Sequence, residues 1–338
     1  MRFLATVIKG LEEICKQEII YRFPEAEIEQ VLVKRIIFSY EGDILALKSL
    51  KVADDIDILL DYTYGSVLKY IEIFRLKNTI SKIRALNDTF SFTISQRESQ
   101  FDLAGLQIGL IAEITQKGKL SYSGSTHTNL DFRLFVDGDS LSLSVRIFKM
   151  PISHRSYKTD ALPGSLKAGI AAGMLYLICS DQDCMGKKIV DLFCGSGTIL
   201  AESTDFNLDV FGSDLDSIAV EVTKTHLINL KIKGLKDKLN DKIRVYDAVS
   251  TKWNAGQFDF WISNFPMDKN VKVAQVIELY KKSIEEASRI LKPENKICCL
   301  VYKPELFVKL ATKYFPNREF KSIEIEYLGQ NPSIVYSE

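Results

Sequence analysis

The chain has 338 residues, of which 46% are hydrophobic, so it is long enough for two or three domains with buried cores. Lysine and arginine total 44, as do aspartate and glutamate, and this balance excludes a global field that would attract a polyanion. Six cysteines without a CxxC pair and three histidines disfavour a zinc site, and we expect no metal. The sequence has no apolar run of about 18 residues and no signal-peptide core, so we expect a soluble cytoplasmic protein.

The first 150 residues alternate between strand-like and helical periodicity. Strand-like "RFLATVI" and "VLVKRIIFSY" are each followed by a helical run, which predicts a small α+β domain over residues 1–60. From 61 to 150 a helical run, "LAGLQIGLIAEITQKGK", precedes two alternating runs separated by "DGD". This pattern predicts a hairpin within a second α+β domain over residues 61–150.

A connector with proline and glycine, residues 151–164, marks the next predicted boundary. From 165 to 338 apolar strand-like runs alternate with amphipathic helices, which predicts an α/β fold with a mostly parallel sheet covered on both faces. The last two runs flank a Gly-Gln-Asn-Pro turn. They predict an antiparallel hairpin at the edge of a seven-stranded sheet.

A glycine turn follows the first strand of this region. Asp191 lies inside the strand, and Gly195 and Gly197 allow a sharp turn that a ligand can approach closely. A dinucleotide fingerprint requires a third glycine where this chain has Leu200, so NAD is disfavoured.

Two further carboxylates follow the next two strands. Asp214 comes about 20 residues after the glycine turn, where a carboxylate can accept hydrogen bonds from a ribose. Asp247 ends the third strand-like run, where it can meet an adenine amino group. Each alone is typical of a turn or a cap, but together they indicate a nucleoside cofactor, because ligands of open α/β sheets bind at the carboxyl ends of the strands.

These residues resemble a known family. "PGSLKAGIAAGML", "DLFCGSGTILAES", "GSDLD", "VYDA" and "SNFPMD", in this order, resemble class I S-adenosylmethionine-dependent methyltransferases, and more narrowly the THUMP-domain RNA guanine-N2 methyltransferases. The resemblance implies a Rossmann-fold methyltransferase domain over 165–338 behind a THUMP domain over 61–150. By analogy, residues 1–60 would be a ferredoxin-like domain.

The resemblance also implies a set of cofactor-binding residues. The methionine part would lie beside Asp191 and the turn formed by Phe193, Cys194, Gly195, Ser196, Gly197 and Thr198, under a helix beginning at Ser165. The ribose would lie at Asp214 and Leu215, and the adenine at Asp247 and Ala248.

Enzymes of this type carry Asn (or Asp)-Pro-Pro-aromatic where this chain has Asn264, Phe265, Pro266 and Met267. The Asn264 side-chain carbonyl and the Phe265 main-chain carbonyl can still accept hydrogen bonds from a target amine, and Pro266 keeps Phe265 extended. Met267 offers a weaker contact to a base than an aromatic ring. Either Phe265 takes over the stacking, or its ring points into the core and the site is impaired.

Two basic stretches in a neutral chain predict RNA binding, although each alone is typical of a solvated face. The predicted RNA-binding residues are Lys69, Arg75, Lys77, Lys82 and Arg84 in the first stretch and Arg146, Lys149, Arg155, Tyr157 and Lys158 in the second. His154, in the same stretch, is expected to be a polar connector residue rather than a base.

The expected activity is methyl transfer to the N2 amine of a guanosine that is flipped out of structured RNA by a monomeric enzyme. Transfer RNA, at acceptor-stem position 6, is expected ahead of ribosomal RNA. A non-catalytic RNA-binding relative with a degenerate motif and a DNA adenine-N6 methyltransferase are the alternatives.

Overall fold

The computed structural model describes residues 1–64, 79–81, 88–97, 102–124, 130–138, 140–160, 162–179, 184–266 and 273–337. The chain forms two compact units: Met1–Val7 with Lys16–Ile152, and Ile8–Cys15 with Ser153–Glu338. The predicted boundary at residues 60 and 61 falls inside a strand, Asp55–Tyr64, so residues 1–60 do not end between elements. No helix in the described ranges has the length and the apolar character needed to cross a bilayer.

The first unit contains one eight-stranded mixed sheet in the described residues. Its strands are β1 (Arg2–Thr6), β2 (Glu27–Leu32), β3 (Arg35–Ser39), β4 (Asp55–Tyr64), β5 (Thr89–Arg97), β6 (Ser121–Tyr122), β7 (Leu130–Asp137) and β8 (Ser140–Arg146). Helix α1, Glu12–Arg22, has residues in both units. Helix α2 spans Leu103–Gly118, and a 3-10 helix spans Ile44–Ser49. The order is β2-β3-β1-β4-β8-β7-β5-β6, and β5 is parallel to β6 and β7. The predicted hairpin is confirmed, because β7 and β8 pair antiparallel around Gly138.

Charged side chains are buried on the sheet of the first unit. Arg133 contacts Asp55 at 3.0 Å and Asp57 at 3.3 Å, and Ser144 donates to Asp57 at 2.7 Å. Burial, opposed by Arg133, raises the pKa of Asp57 to about 6. Arg146 contacts Asp55 at 2.7 Å. The prediction that Arg146 contacts RNA is therefore wrong, because its guanidinium is buried against carboxylates instead of facing solvent.

The second unit contains a seven-stranded sheet in the described residues. Its strands are β9 (Lys188–Asp191), β10 (Asp209–Asp214), β11 (Ile243–Val245), β12 (Phe258–Asn264), β13 (Leu291–Val301), β14 (Phe320–Glu324) and β15 (Ser333–Ser337), in the order β11-β10-β9-β12-β13-β15-β14. The helices are α3 (Ala168–Ile178), α4 (Thr198–Ser203), α5 (Ser217–Asn229), α6 (Leu239–Lys242), α7 (Val273–Ile290) and α8 (Pro304–Tyr314), with 3-10 helices at Thr204–Phe206 and Lys236–Lys238. The predicted antiparallel hairpin is confirmed, because β15 pairs antiparallel with β13 and β14 while the other strands run parallel.

Both faces of the second sheet are buried. On one face of the sheet, side chains that include Val190 and Trp261 pack with Tyr280 and Ile284 of α7 and Phe307 of α8. On the other face, the side chains of Ile189, Ile262 and Cys298 are also fully buried. Burial on both sides explains why these strands are near-continuous apolar runs in the sequence. It also leaves the carboxyl ends of the strands as the place where polar side chains can gather.

Candidate functional site

Three polar residues lie at the carboxyl ends of neighbouring strands in the second unit. Asp191 ends β9, Asp214 ends β10 and Asn264 ends β12, and β9 lies between the other two strands. All three line one cavity of about 200 Å³. They also mark the point where the strand order reverses, which is where open α/β sheets bind ligands.

The glycine turn shapes one wall of this cavity. Gly195 and Gly197 have φ values of +51° and +74°, which L side chains rarely adopt. A Cβ atom on Gly197 would lie 2.7 Å from Cγ2 of Thr223, so space also requires glycine there. The Gly195 amide donates to Asp214 Oδ2 at 2.8 Å, and the Thr223 hydroxyl donates to the Gly195 carbonyl at 2.7 Å. The turn is therefore held from two sides.

Asp191 is a buried carboxylate at this turn, with 1% of its surface exposed. Its Oδ1 accepts from the Ser263 hydroxyl at 2.7 Å and from the Phe193 amide at 3.0 Å. Burial raises the pKa of Asp191 to about 7 against these hydrogen bonds, and nearby Asp214 adds to the rise. A bound cation would stabilise the ionised form of Asp191 and so lower this pKa. The site therefore favours a positively charged ligand.

Ser263 is a site residue that the sequence reasoning missed. Besides donating to Asp191, its hydroxyl accepts from Trp261 Nε1 at 2.9 Å and from the Leu192 amide at 3.0 Å. Ser263 thereby fixes Asp191 from the neighbouring strand. A serine next to a motif asparagine is too common to signal this role.

The two carboxylates predicted to bind a nucleoside both border a second cavity of about 880 Å³. Asp214 Oδ1 accepts from the Asp216 amide at 3.0 Å, and Asp247 Oδ1 accepts from the Val249 amide at 3.1 Å. Asp247 lies two residues beyond the end of β11, so the prediction that it ends the strand is wrong by that margin. Leu215 is 72% exposed beside Asp214 and borders the same cavity.

The remaining predicted turn residues lie in or behind the wall of the smaller cavity. Phe193, Cys194, Ser196 and Thr198 line it together with the glycine turn. Cys194 is buried, its pKa is raised by burial, and its sulfur accepts from the Thr223 hydroxyl at 3.7 Å. Ala248 is buried and borders the larger cavity.

Ser165 lies on a loop, so the prediction of a helix beginning there is wrong. Helix α3 begins at Ala168, because Lys167 is extended at φ −68° and ψ 138° and Gly164 has a φ of +75°. The Ser165 hydroxyl lies 2.6 Å from that of Ser196, and its carbonyl accepts from the Tyr327 hydroxyl at 3.1 Å. Residues 162–166 all line the smaller cavity, and their loop is fixed between the glycine turn and the C-terminal hairpin.

Asn264 borders both cavities. Its side-chain Oδ1 is buried and has no hydrogen-bond partner within the described part of the chain. A buried acceptor without a partner costs free energy, on the order of 1–3 kcal/mol. An acceptor held in this state at a cavity wall is placed for a ligand donor.

The Phe265 ring is 1% exposed and belongs to the core. Among the described residues its centroid lies 4.7 Å from Phe193, 5.0 Å from Tyr280, 5.6 Å from Phe307 and 6.0 Å from Trp261. The suggestion that this ring stacks on a base is therefore wrong, whereas its carbonyl stays a predicted acceptor. Pro266 is exposed and borders the larger cavity, and Met267 lies outside the described residues.

The second basic stretch is largely committed to internal contacts. Arg155 contacts Glu202 at 2.9 Å and the Tyr157 hydroxyl donates to the same carboxylate at 2.7 Å, with Tyr157 and Glu202 buried. Lys158 donates to the Leu166 carbonyl at 2.7 Å, and burial lowers its pKa. The prediction that Arg155, Tyr157 and Lys158 form an RNA surface is wrong, because these groups join the connector to α4 and to the loop before α3.

Two predicted features of the basic stretches remain predictions. Lys149 and His154 are exposed. The five predicted residues of the first stretch, Lys69, Arg75, Lys77, Lys82 and Arg84, lie outside the described residues. In the ranges that the structure covers, no group of three or more His, Cys, Asp or Glu side chains is arranged to hold a metal ion.

The sequence pattern of one protein family, described as UPF0020, RMKL-like, methyltransferase domain, matches residues 155–330. Comparison with curated proteins gives no match. TrmN from Thermus thermophilus is similar in structure, with a TM-score of 0.80 at 18% identity over 100% of this chain and 99% of that one.

Two further solved structures are similar over nearly the whole chain. The Listeria monocytogenes protein described as a "predicted N6-adenine-specific DNA methylase" has a TM-score of 0.71 at 18% identity, covering 99% of this chain and 95% of that one. SMU.472, solved in complex with SAH, has a TM-score of 0.70 at 16% identity, covering 99% and 97%. Likeness at such low identity shows the shared fold and leaves the substrate open.

Proposed function

Because the chain belongs to the UPF0020 family of RMKL-like methyltransferase domains, we propose that it transfers a methyl group to the N2 amine of a guanosine in structured RNA. S-adenosylmethionine is the cofactor. The observation that carries the proposal is the buried Oδ1 of Asn264 at a cavity wall, which has no hydrogen-bond partner among the described residues.

The residues present fit this cofactor. The smaller cavity joins Asp191 and the glycine turn, where a cationic amino group and a closely approaching ligand are both favoured. Asp214 would hold the ribose hydroxyls, and Asp247 and Ala248 would lie at the adenine. When bound, S-adenosylmethionine supplies an electrophilic methyl group on a sulfonium sulfur.

The contribution of the chain to the reaction is to hold the target amine. The lone pair of an aromatic amine is delocalised into the ring, so the nitrogen is a poor nucleophile. Asn264 Oδ1 and the Phe265 carbonyl would accept its two N–H groups, keeping electron density on nitrogen and directing it towards the cofactor. The buried Phe265 ring fixes the main chain that presents this carbonyl. The proton released on methylation can leave to water.

We propose tRNA as the RNA, with the acceptor-stem guanosine at position 6 as the first site to test and ribosomal RNA as the second. The name of the similar Thermus protein, TrmN, supports this choice. In this proposal the first unit combines a ferredoxin-like part, near residues 1–60, with a THUMP part, near residues 61–150, that binds RNA; the two parts share β4. The protein is proposed to be a cytoplasmic monomer. A second candidate is methylation of adenine N6, which the same two acceptors could serve and which the name of the Listeria protein favours.

The test is a transfer assay with radiolabelled S-adenosylmethionine and total RNA from cells lacking this protein, followed by nucleoside mass spectrometry. We expect N2-methylguanosine, whereas N6-methyladenine in DNA or RNA would favour the second candidate. Asn264→Ala should lower transfer by about 100-fold or more and leave cofactor affinity within about threefold. Asn254→Ala, at an exposed asparagine outside both cavities, is the matched control.

If no RNA or DNA accepts label although the cofactor binds, the result favours the alternative of a non-catalytic RNA-binding relative. Met267→Tyr then restores the aromatic residue of the motif. This variant distinguishes an inactive motif from an assay that lacks the correct substrate. Gain of transfer in that variant would show that the native motif is impaired.

A further inference from the structure

An extruded base needs a flat apolar surface as well as acceptors for its amine. Stacking on an aromatic side chain contributes a large part of the affinity for an unstacked base. The Phe265 ring cannot provide this surface, because it is enclosed by Phe193, Tyr280, Phe307 and Trp261. In the described part of the chain, an aromatic surface must therefore come from an element other than the loop after β12.

Tyr302 directly follows β13, the strand next to β12. Asn264 pairs with Leu300 across these strands, so Tyr302 lies two residues beyond that pair. Strand geometry separates their Cα atoms by about 5 Å across the sheet and about 7 Å along it. Tyr302 and Asn264 both line the larger cavity, together with Pro266. This spacing leaves room for a planar ring between them.

The main chain at Tyr302 is fixed by the core. Its amide donates to the hydroxyl of Tyr280 at 3.2 Å. The Tyr280 ring in turn packs against Phe265 at 5.0 Å and Phe307 at 5.5 Å. The aromatic cluster that buries Phe265 thus also positions Tyr302, and a fixed stacking surface binds with a smaller entropic cost than a mobile one.

The side chain of Tyr302 is half-buried, and its hydroxyl has no hydrogen-bond partner among the described residues. Tyr327, the other tyrosine of this cavity, is only 4% exposed and its hydroxyl is committed to Ser165. Tyr327 therefore holds the loop before α3. Phe193, the third aromatic residue of this cavity, packs its ring against Phe265 at 4.7 Å. Tyr302 is thus the aromatic residue of this cavity whose ring is committed to neither contact.

We propose that the Tyr302 ring is the surface on which the extruded purine stacks, replacing the motif aromatic that this chain lacks at Met267. The inference rests on the proposed function and extends it by naming the residue that holds the base. Tyr302 contacts substrate in this scheme, and the acceptors on Asn264 and Phe265 then set the orientation of the amine.

The test compares Tyr302→Ala, Tyr302→Leu and Tyr302→Phe with the native protein in the transfer assay. Loss of the ring should lower kcat/KM for RNA by about 5- to 150-fold, the range that corresponds to loss of one stacked base. Tyr302→Phe should stay within about threefold of native, because the ring carries the contact. Cofactor affinity should not change in any variant. Tyr336→Ala, at a half-buried tyrosine of β15 outside both cavities, controls for a general loss of packing.

A second measurement uses 2-aminopurine riboside, a fluorescent purine nucleoside whose emission falls on stacking. Quenching by the cofactor-loaded native protein that is lost in Tyr302→Ala and Tyr302→Leu supports the inference even if no RNA is methylated, in which case the proposed reaction alone fails. Unchanged kcat/KM in both variants, or no quenching together with no transfer by the native protein, would overturn it.

Discussion

Among the described residues, the groups that stabilise the Asp191 carboxylate contact one of its two oxygens. Both hydrogen bonds described for this side chain, from Ser263 and from the Phe193 amide, end on Oδ1. Burial and the nearby carboxylate of Asp214 raise the pKa of Asp191 to about 7. The ionised form is thus disfavoured in the free protein, and a cationic ligand would remove that cost. We infer that the buried Asp191 carboxylate lowers the stability of the free protein.

We predict that Asp191→Asn makes the free protein more stable at pH 8. The folded pKa of about 7 lies above the unfolded value, so the native carboxylate destabilises the fold as pH rises from about 4 to about 7. Asparagine keeps the Oδ1 acceptor and does not ionise. The gain in unfolding free energy should therefore be larger at pH 8 than at pH 5, with an upper limit of about 4 kcal/mol. Urea unfolding at the two pH values measures it.

Two features make that comparison specific. Asp57, whose pKa burial raises to about 6, adds a similar fall in stability to both proteins and cancels in the difference. Asp241→Asn, at an exposed ion pair with Arg244, should change little at either pH. Equal destabilisation of Asp191→Asn at both pH values would show that the carboxylate is structural. In our interpretation the variant also loses affinity for S-adenosylmethionine.

At the residue scale, the sequence could predict side chains whose position follows from the end of a strand. Asp191, Asp214 and Asn264 were predicted in this way, and they line one cavity. Ser263 and Tyr302 could not be predicted, because their roles depend on contacts with a neighbouring strand and on packing against Tyr280. The sequence does not determine where the Phe265 ring lies, for the same reason, since its burial depends on which helix covers the strand.

At the scale of elements, the buried Glu202 side chain joins the connector to α4, the helix that follows the glycine turn. It contacts Arg155 at 2.9 Å and accepts from the Tyr157 hydroxyl at 2.7 Å. We predict that Glu202→Ala lowers the unfolding free energy by about 3–5 kcal/mol, because it leaves a buried guanidinium without this carboxylate. Urea unfolding measures the loss.

The matched control is Glu221→Ala, which removes the exposed carboxylate from its pair with Lys224 and should cost about 1 kcal/mol or less. Similar values for the two variants would contradict the view that the Glu202 pair is a buried structural contact.

The sequence was a poor guide to the ends of elements near this contact. Basic residues at 155–158 are typical of a surface, and only the fold shows that Glu202 and the Leu166 carbonyl bind them. Helix α3 begins three residues after the predicted start because of the local conformation at Gly164 and Lys167. Glu202 lies 47 residues from Arg155, so no local pattern could reveal this contact.

At the scale of the whole molecule, periodicity predicted the second unit well and the first unit less well. Apolar strands between amphipathic helices allow few topologies other than a mostly parallel sheet. In the first unit the strands before and after residue 60 join one sheet, because β4 pairs with β1 and with β8. Pairing between distant strands leaves no periodic signal, so the predicted boundary fell inside β4.

The last prediction concerns the salt dependence of RNA binding. Of the nine cationic residues predicted to contact RNA, Arg146, Arg155 and Lys158 are bound internally. Six candidates remain, so the slope of log K against log salt for tRNA should not exceed about 5 in magnitude. Filter binding of tRNA at salt concentrations from about 50 to about 200 mM measures this slope. Lys69→Ala with Lys77→Ala should reduce it by about 2, whereas Arg155→Ala should lower stability and leave the slope unchanged. A slope reduced by Arg155→Ala in a fully folded protein would contradict the internal role of this residue.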